Sequence, residues 1–292
     1  DVAVRVKRLR SLEELMHREE QALAANAAQT QRDPVIQLDA LGFEQETLDL
    51  PTLEVQGLAL ITPPRQGSQQ RALFEDVSFT LQAGNSILIV GDSGIGKSSL
   101  FRAIAGLWSN GRGHISRCGG KNVFFLPQKP YMFLGTLREQ LLYPYLHYCT
   151  HDDSALQSVL NDVNLGYLSQ RHTLDEVKEW GSVLSVGEQQ RINFSRVLLQ
   201  SDVRLALIDE GTSACDMANE AVLYDRLKQR VASYVSIGQR PALRKYHTHV
   251  MWLRMRRGGS LINSSSTGGY AFMTMAEYEK ALEDAEAWGS TR

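Results

Sequence analysis

The run Ser86-Ile-Leu-Ile-Val-Gly-Asp-Ser-Gly-Ile-Gly-Lys-Ser-Ser-Leu100 constrains this chain more than any other stretch. It begins branched and apolar, as a buried strand does. A glycine-rich turn follows, and then a helical apolar pattern at Leu100, Ile104 and Leu107. Inside it, Gly91-x-x-x-x-Gly96-Lys97-Ser98 has the spacing of a phosphate-binding loop. Glycines let the backbone curl so that successive N–H groups point at phosphate oxygens, and the helix N-terminus behind them favours negative charge. The loop therefore comprises Gly91, Asp92, Ser93, Gly94, Ile95, Gly96, Lys97, Ser98 and Ser99. Lys97 is suited to the β- and γ-phosphates and the Ser98 hydroxyl to Mg²⁺. The implied ligand is a nucleoside triphosphate.

Around that unit the chain alternates strand and helix patterns, which argues a parallel or mixed α/β sheet. Strands are expected at 53–61, 73–81, 122–126, 232–237 and 250–253, with a hairpin-like turn at Ala83-Gly84 and a loop from Gly111 to Gly120. The continuous apolar run Val203 to Ile208 suits a strand buried on both faces. Helical patterns dominate residues 135–200 (136–142, 154–163, 188–199), reading as an insert between two strands of the sheet. Further helices are expected at 97–107, 219–230 and 275–288. Asp209-Glu210 closes the apolar strand. A carboxylate there can hold Mg²⁺ through water, and its neighbour can polarise an attacking water as general base. Leu184-Ser-Val-Gly-Glu-Gln-Gln-Arg191 is a serine–glycine turn opening a helix, a second anion-suited terminus.

Composition narrows the class further. A net charge of −2 over 292 residues gives no nucleic-acid tail, and three scattered cysteines (Cys118, Cys149, Cys215) make neither a disulfide framework nor a zinc site. No run approaches the length of apolar sequence that a bilayer span needs. Residues 3–25 read as an amphipathic helix, basic at its start (Arg5, Lys7, Arg8, Arg10). It is either a surface helix or the cytosolic end of a membrane helix lying upstream. Residues 31–51, polar and bounded by Pro34 and Pro51, read as a linker. The first residue is Asp1 rather than Met, so a piece of a longer polypeptide is expected.

Taken together, these stretches resemble the nucleotide-binding domain of ATP-binding-cassette (ABC) proteins. Gly91 to Ser98 matches the Walker A motif and Gln128, within Phe124-Phe-Leu-Pro-Gln-Lys-Pro130, the Q-loop. Leu184 to Gln189 matches the signature, Leu205 to Glu210 Walker B, and Ser213-Ala-Cys-Asp216 the D-loop. The wording of Phe101 to Trp108, Leu126 to Tyr131, Gly135 to Gln140, Leu142 to Pro144 and Arg240 to His247 is similar to subfamily D half-transporters of the fatty-acyl and cobalamin type, and to their bacterial relatives.

The resemblance implies a P-loop NTPase with a RecA-like mixed sheet core, an antiparallel β subdomain and a helical subdomain at about 130–200. Residues 52–292 would form the domain, and residues 1–30 an extension from a transmembrane domain. It also implies ATP and Mg²⁺ as ligands, with Ser98, Gln128 and Asp209 at the metal. Glu210 would be general base beside Lys97. Two such domains, in a homo- or heterodimer, would enclose ATP head to tail, so that Ser185, Val186, Gly187, Glu188 and Asp216 serve the partner copy's nucleotide. The full protein would sit in a membrane, peroxisomal or of another organelle, with this domain on the cytosolic face.

The chain departs from the family pattern in three places. Val186 and Glu188 replace the signature's usual first glycine and its glutamine. No aromatic residue lies between Phe43 and Phe74 to stack an adenine, which leaves Ile61 to Pro64 as an apolar platform. Gln239 stands where the family has its switch histidine; glutamine can donate to a phosphate but cannot become cationic. His247 and His249 read as surface or packing residues. Slowed hydrolysis, a degenerate site in a heterodimer and a regulatory ATP-binding module all fit Gln239, and the intact remaining positions favour the first. A soluble DNA-repair or translation cassette would instead bring tandem domains, a long coiled-coil insertion or basic surfaces.

Overall fold

The computed structural model describes residues 35–41, 51–63, 72–119, 122–146, 151–254 and 269–289. The expected helix at 3–25, most of the expected linker and Pro64 lie outside them. The chain divides into two units, Asp1–Val35 and Ile36–Arg292, and of the first only the exposed Val35 is described.

The second unit runs, in order, β1 (Gln37–Ala40), β2 (Pro51–Ile61), β3 (Ala72–Gln82), β4 (Ser86–Gly91), α1 (Lys97–Ile104), β5 (Gly111–Arg117) and β6 (Val123–Leu126). A helical stretch follows: β7 (Leu134–Thr136), α2 (Leu137–Leu142), α3 (Asp153–Asp162), α4 (Leu168–Arg171), β8 (Val177–Glu179), α5 (Trp180–Val183) and α6 (Val186–Leu198). The chain then returns through β9 (Leu205–Asp209), α7 (Met217–Arg230), β10 (Ser233–Ile237), a 3₁₀ turn (Pro241–Tyr246), β11 (His249–Leu253), β12 (Tyr270–Thr274) and α8 (Met275–Gly289).

Two larger sheets result. The six-stranded sheet has the order β12-β11-β4-β10-β9-β6, parallel except for the edge strand β12. Its inner strands are short and buried on both faces, which is why β4 and β9 read as near-continuous apolar runs. The four-stranded sheet has the order β1-β5-β2-β3. There β3 alternates: Phe74, Val77, Phe79 and Leu81 point inward, while Glu75, Asp76, Ser78 and Thr80 do not. That is the pattern of an antiparallel strand with one solvated face.

Helix α1 lies in the core shared by the two sheets. Leu100, Phe101 and Ile104 are fully buried with Ile87, Ile89, Leu207 and Val235 on one side and Leu53, Leu58 and Phe74 on the other. Each such side chain contributes about 2 kcal/mol of transfer free energy. The opposite face of the six-stranded sheet (Leu88, Ala206, Ile208) packs with Ile192 and Phe194 of α6 and Leu223 and Leu227 of α7. Trp180 anchors the helical stretch: it is fully buried, and its Nε1 donates to the Gly135 carbonyl at 2.9 Å.

Four expectations are corrected. Gly111 to Gly120 is not simply loop, because β5 pairs with both β1 and β2. Its glycines are there for close approach: a Cβ at Gly113 (φ 112°) would stand 2.6 Å from the Gly57 carbonyl oxygen and from the Leu58 Cα. Residues 37–40 are not linker, since β1 pairs in parallel with β5 and Ile36 is buried beside it. That parallel edge also makes the smaller sheet mixed rather than purely antiparallel. The turn at Ala83-Gly84 (Gly84 φ 85°) leads from β3 in one sheet to β4 in the other, so it closes no hairpin. Finally, α1 ends at Ile104, and Leu107 is 66% exposed.

The Gly113 contact yields the first prediction. Gly113→Val should lower unfolding free energy by about 3 kcal/mol, from strain at a left-handed position and a backbone clash. A urea midpoint equal to that of the wild type would show that β5 does not press against β2 as described.

Candidate nucleotide-binding site

The loop after β4 curls because its glycines take backbone angles that other residues resist: φ is 145° at Gly91, 77° at Gly94 and 103° at Gly96. Two of these positions have no room for a side chain. A Cβ at Gly91 would meet the Leu253 carbonyl oxygen at 2.5 Å, and one at Gly96 would meet the Phe74 ring at 3.0 Å. Ile95 pins the loop to the core at 2% exposure. Gly96 forms the N-cap of α1 without a side-chain cap, so the helix's first N–H groups face whatever occupies the loop.

Lys97 folds back over this cradle. Its side chain is buried, and Nζ donates to the carbonyls of Gly91 and Asp92, each at 2.7 Å. Burial lowers its pKa from the ordinary lysine value, opposed by the negative charges of Glu210 and Asp92. A buried ammonium held only by neutral carbonyls is suited to an anionic ligand.

Glu210 follows β9 in a left-handed conformation (φ 48°), costly for a residue with a side chain. Its N–H donates to the Ile237 carbonyl at 3.1 Å, tying the end of β9 to the end of β10. Gln128, just past β6, donates from Nε2 to Glu210 Oε2 at 2.8 Å. Burial first, and then the charge of Glu210, raise the Asp209 carboxyl above the usual aspartate range, with Arg102 opposing. A cation beside these two carboxylates would relieve that repulsion.

The donors available (Ser98 hydroxyl, Asp209 carboxylate, Gln128 amide) are oxygens, the kind Mg²⁺ takes. Among the described residues no cluster of three His, Cys, Asp or Glu could hold a metal by itself. The residues present fit Mg²⁺ together with a triphosphate.

A second group gathers at the start of α6. Ser185 is its N-cap, joined to Glu188 in a reciprocal capping box. Gly187 lies against the 213–216 loop, where a Cβ would stand 2.8 Å from the Ala214 carbonyl oxygen. Val186 is 59% exposed. Asp216 caps α7, accepting the Asn219 N–H at 2.8 Å, and this with the Asn219 side chain holds its carboxyl below the usual range. Among the described residues no hydrogen bond joins Ser185–Glu188 to the Gly91–Ser98 loop.

Two linking groups are not evident from the motifs. Gln190, fully buried in α6, accepts the Ala214 N–H at 2.9 Å and donates to Ser213 Oγ at 3.0 Å and the Glu210 carbonyl at 3.5 Å. Arg240 donates to the carbonyls of Cys215 (2.8 Å) and Ser213 and pairs at 3.3 Å with the buried Glu220, which also accepts Thr212 Oγ1 at 2.9 Å. The only sequence signal for the latter was an arginine directly after Gln239. Gln239 itself is exposed past the end of β10. Of the expected adenine platform, Ile61 ends β2 half-buried, its carbonyl accepting Trp108 Nε1 at 3.2 Å.

The nearby histidines are packing residues. His249 stacks on Phe272 at 5.3 Å. His247 is buried edge-on to Tyr224 and Tyr234, with Nδ1 at 2.8 Å from the Leu243 carbonyl. Its Nε2 has no hydrogen-bond partner among the described residues. Burial drops its pKa to about 4.

A strand, glycine turn and helix with a buried lysine, facing two carboxylates at the end of a parallel sheet, define a P-loop nucleotide-binding domain. Residues 74–213 match the family model described as ABC transporter. A protein of Synechocystis sp. named as an uncharacterized ABC transporter ATP-binding protein is 45% identical over 213 residues, covering 72% of this chain and 31% of its own. The chloroplastic ABC transporter D family member 2 of Arabidopsis thaliana is 37% identical, covering 73% and 36%. The lysosomal cobalamin transporter ABCD4 of Mus musculus is 38% identical, covering 76% and 39%. A bacterial Atm1-family ABC exporter with ATP bound superposes with a TM-score of 0.60 at 19% identity, over 80% of this chain and 42% of that one, a likeness of fold. The chain carries the ATP-binding cassette of the ABC transporter family, an ATPase domain, in the form found in D-family members. It spans about a third of the length of these curated relatives.

His247 yields a prediction of its own. Above about pH 6.5 it is neutral folded or unfolded and contributes no pH dependence. Between about pH 6.5 and 4 the unfolded chain binds the proton and the folded chain does not, so stability falls as pH falls, by roughly 1.4 kcal/mol per unit. Urea midpoints measured from pH 7 to 5 should therefore drop less steeply in His247→Phe than in the wild type. Parallel slopes would mean that the ring is not buried neutral.

Proposed function

We propose that this chain is the ATP-binding and hydrolysing motor domain of a D-type half-transporter. It works as a head-to-tail pair in which each ATP lies between one copy's Gly91–Ser98 loop and the other copy's Ser185–Glu188 turn. The observation that carries this reading is the convergence of Lys97, Asp209, Glu210 and Gln128 at one end of the parallel sheet, with Gln128 bonded to Glu210 at 2.8 Å. A second anion-suited helix terminus at Ser185 supports closure by a twin copy.

The roles follow from the chemistry. The loop's N–H groups and Lys97 hold the β- and γ-phosphates and offset charge as it shifts toward the leaving oxygen. Ser98, Asp209 and Gln128 would hold Mg²⁺, which when bound supplies further neutralisation of the phosphate oxygens. Glu210 takes the proton of the attacking water as general base. While Gln128 donates to Glu210, that carboxylate is partly occupied, so drawing the amide toward nucleotide frees the base. Gln239 donates a hydrogen bond to the γ-phosphate without the charge or proton-shuttling capacity of a histidine. Hydrolysis is therefore slow rather than absent.

Closure on ATP and opening after hydrolysis would drive a membrane domain of the same or a partner chain, to which residues 1–30 would lead. Among the described residues no helix is long and apolar enough to cross a membrane. The names of two relatives, one chloroplastic and one lysosomal, favour an organellar membrane. The same proposal puts this domain on the cytosolic face and takes as cargo a fatty acyl-CoA or another lipid-like or small molecule. Gln239 favours one second reading: a weakened or regulatory module that binds ATP with little turnover.

A phosphate-release assay on the assembled dimer separates the two. Gln239→His should raise turnover about tenfold, and Glu210→Gln should remove at least about a hundredfold of it. Unchanged turnover in Gln239→His would end the claim that this position limits the rate. No measurable hydrolysis before substitution would favour the regulatory reading.

A further inference from the structure

The turn that opens α6 holds its serine in an unusual way for a phosphate contact. The Ser185 backbone N–H and hydroxyl both donate to one carboxylate oxygen, Glu188 Oε2, at 2.7 and 2.6 Å. The other oxygen, Oε1, accepts the phenol of Tyr167. Burial raises the Glu188 carboxyl, but the bonds from Ser185 and Tyr167 outweigh it and hold the group below the usual glutamate range. Glu188 is thus anionic at neutral pH.

A hydroxyl has one proton. With that proton given to Glu188, Ser185 turns only lone pairs outward, and a phosphate oxygen needs a donor. The bond is charge-assisted and so about twice as strong as a neutral one. A carboxylate also sits next to the place where a phosphate would arrive. Tyr167 keeps it there by bonding the oxygen that Ser185 does not use.

We propose that Glu188 is a positioning residue that sets the ATP level at which two copies close, by holding the Ser185 proton away from the phosphate and placing a negative charge beside it. This rests on the reading that the Ser185 turn meets the twin copy's γ-phosphate. Closure requires Ser185 to swing its hydroxyl proton from Glu188 Oε2 to the phosphate, leaving the carboxylate to the Ser185 N–H and Tyr167. Glutamine at 188 has the same shape without the charge. In the place of Oε2 its amide oxygen still accepts the Ser185 N–H, while its nitrogen, in the place of Oε1, donates to the Tyr167 phenol oxygen; the bond from the Ser185 hydroxyl becomes neutral and about half as strong, so the proton turns outward more readily.

The test is an ATP titration of dimer formation by sedimentation velocity, in 292-residue chains carrying Glu210→Gln to block turnover. Adding Glu188→Gln should lower the midpoint ATP concentration about five- to tenfold. In chains that also carry Ser185→Ala, the same substitution should move the midpoint by a smaller step of about two- to threefold, because only the negative charge is then removed and no hydroxyl remains to be released. In chains with Glu210 intact, Glu188→Gln should lower the apparent KM for MgATP by more than it changes kcat. A cap of structural value only would lower the melting temperature and leave the midpoint in place. That result, or a midpoint that rises, overturns the proposal while leaving the head-to-tail reading standing. If the Glu210→Gln chains form no dimer at any ATP concentration, the head-to-tail reading falls and this proposal with it.

Discussion

The structure depends on keeping a lysine ammonium charged in a largely buried place. Among the described residues Lys97 donates to two loop carbonyls, Gly91 and Asp92, and burial alone would favour losing the proton. The loop can offer those carbonyls only because Gly91 turns where any side chain would strike the Leu253 backbone. The glycine, the edge of β11 and the lysine therefore form one arrangement. A triphosphate would add countercharge in direct contact, beyond what Glu210 and Asp92 already exert on the lysine.

The parallel sheet explains why the remaining groups meet there. β4, β9, β6 and β10 run in the same direction, so their C-terminal ends deliver Gly91, Asp209-Glu210, Gln128 and Gln239 to one edge of the sheet. Ligands in open α/β sheets sit at that edge for the same reason. Helix α1 then does two things: its apolar face fills the space shared by the two sheets, and its uncapped N-terminus completes the cradle. Packing and binding are the same element seen from its side and from its end.

Much of this was legible because strand burial and loop chemistry are local. β4 and β9, covered on both faces, leave unbroken apolar runs, and the phosphate-binding loop needs glycine at fixed spacing whatever surrounds it. What escaped was non-local. Gly111 and Gly113 look like loop residues, yet they permit β2 to lie close, a fact held in residues 57–59 rather than in their own neighbourhood. β1 is four exposed residues whose only structural signal is its partner β5. Gln190 and the Arg240–Glu220 pair sit in motifs or beside them, but their partners are twenty or more residues away. Glu188 was legible as a departure from a pattern; that its carboxylate captures the Ser185 proton was not.

The two departures at positions 188 and 239 bear on opposite halves of one cycle. In the proposed dimer Glu188 would act at the turn that a twin copy presents, where a retained proton and a negative charge would make closure harder. Gln239 lies past β10 at the same sheet edge as the phosphate-binding loop, where a neutral donor in place of histidine would make hydrolysis slower. On that proposal a site that closes reluctantly would gain from slow hydrolysis, because each closed state would last long enough for a membrane partner to respond. Arg240 gives the two halves a physical link: it follows Gln239 directly and donates to the carbonyls of Ser213 and Cys215, in the loop against which Gly187 packs. The end of β10 and the start of α6 are thus joined through one guanidinium and one loop, with the buried Glu220 fixing the guanidinium in place.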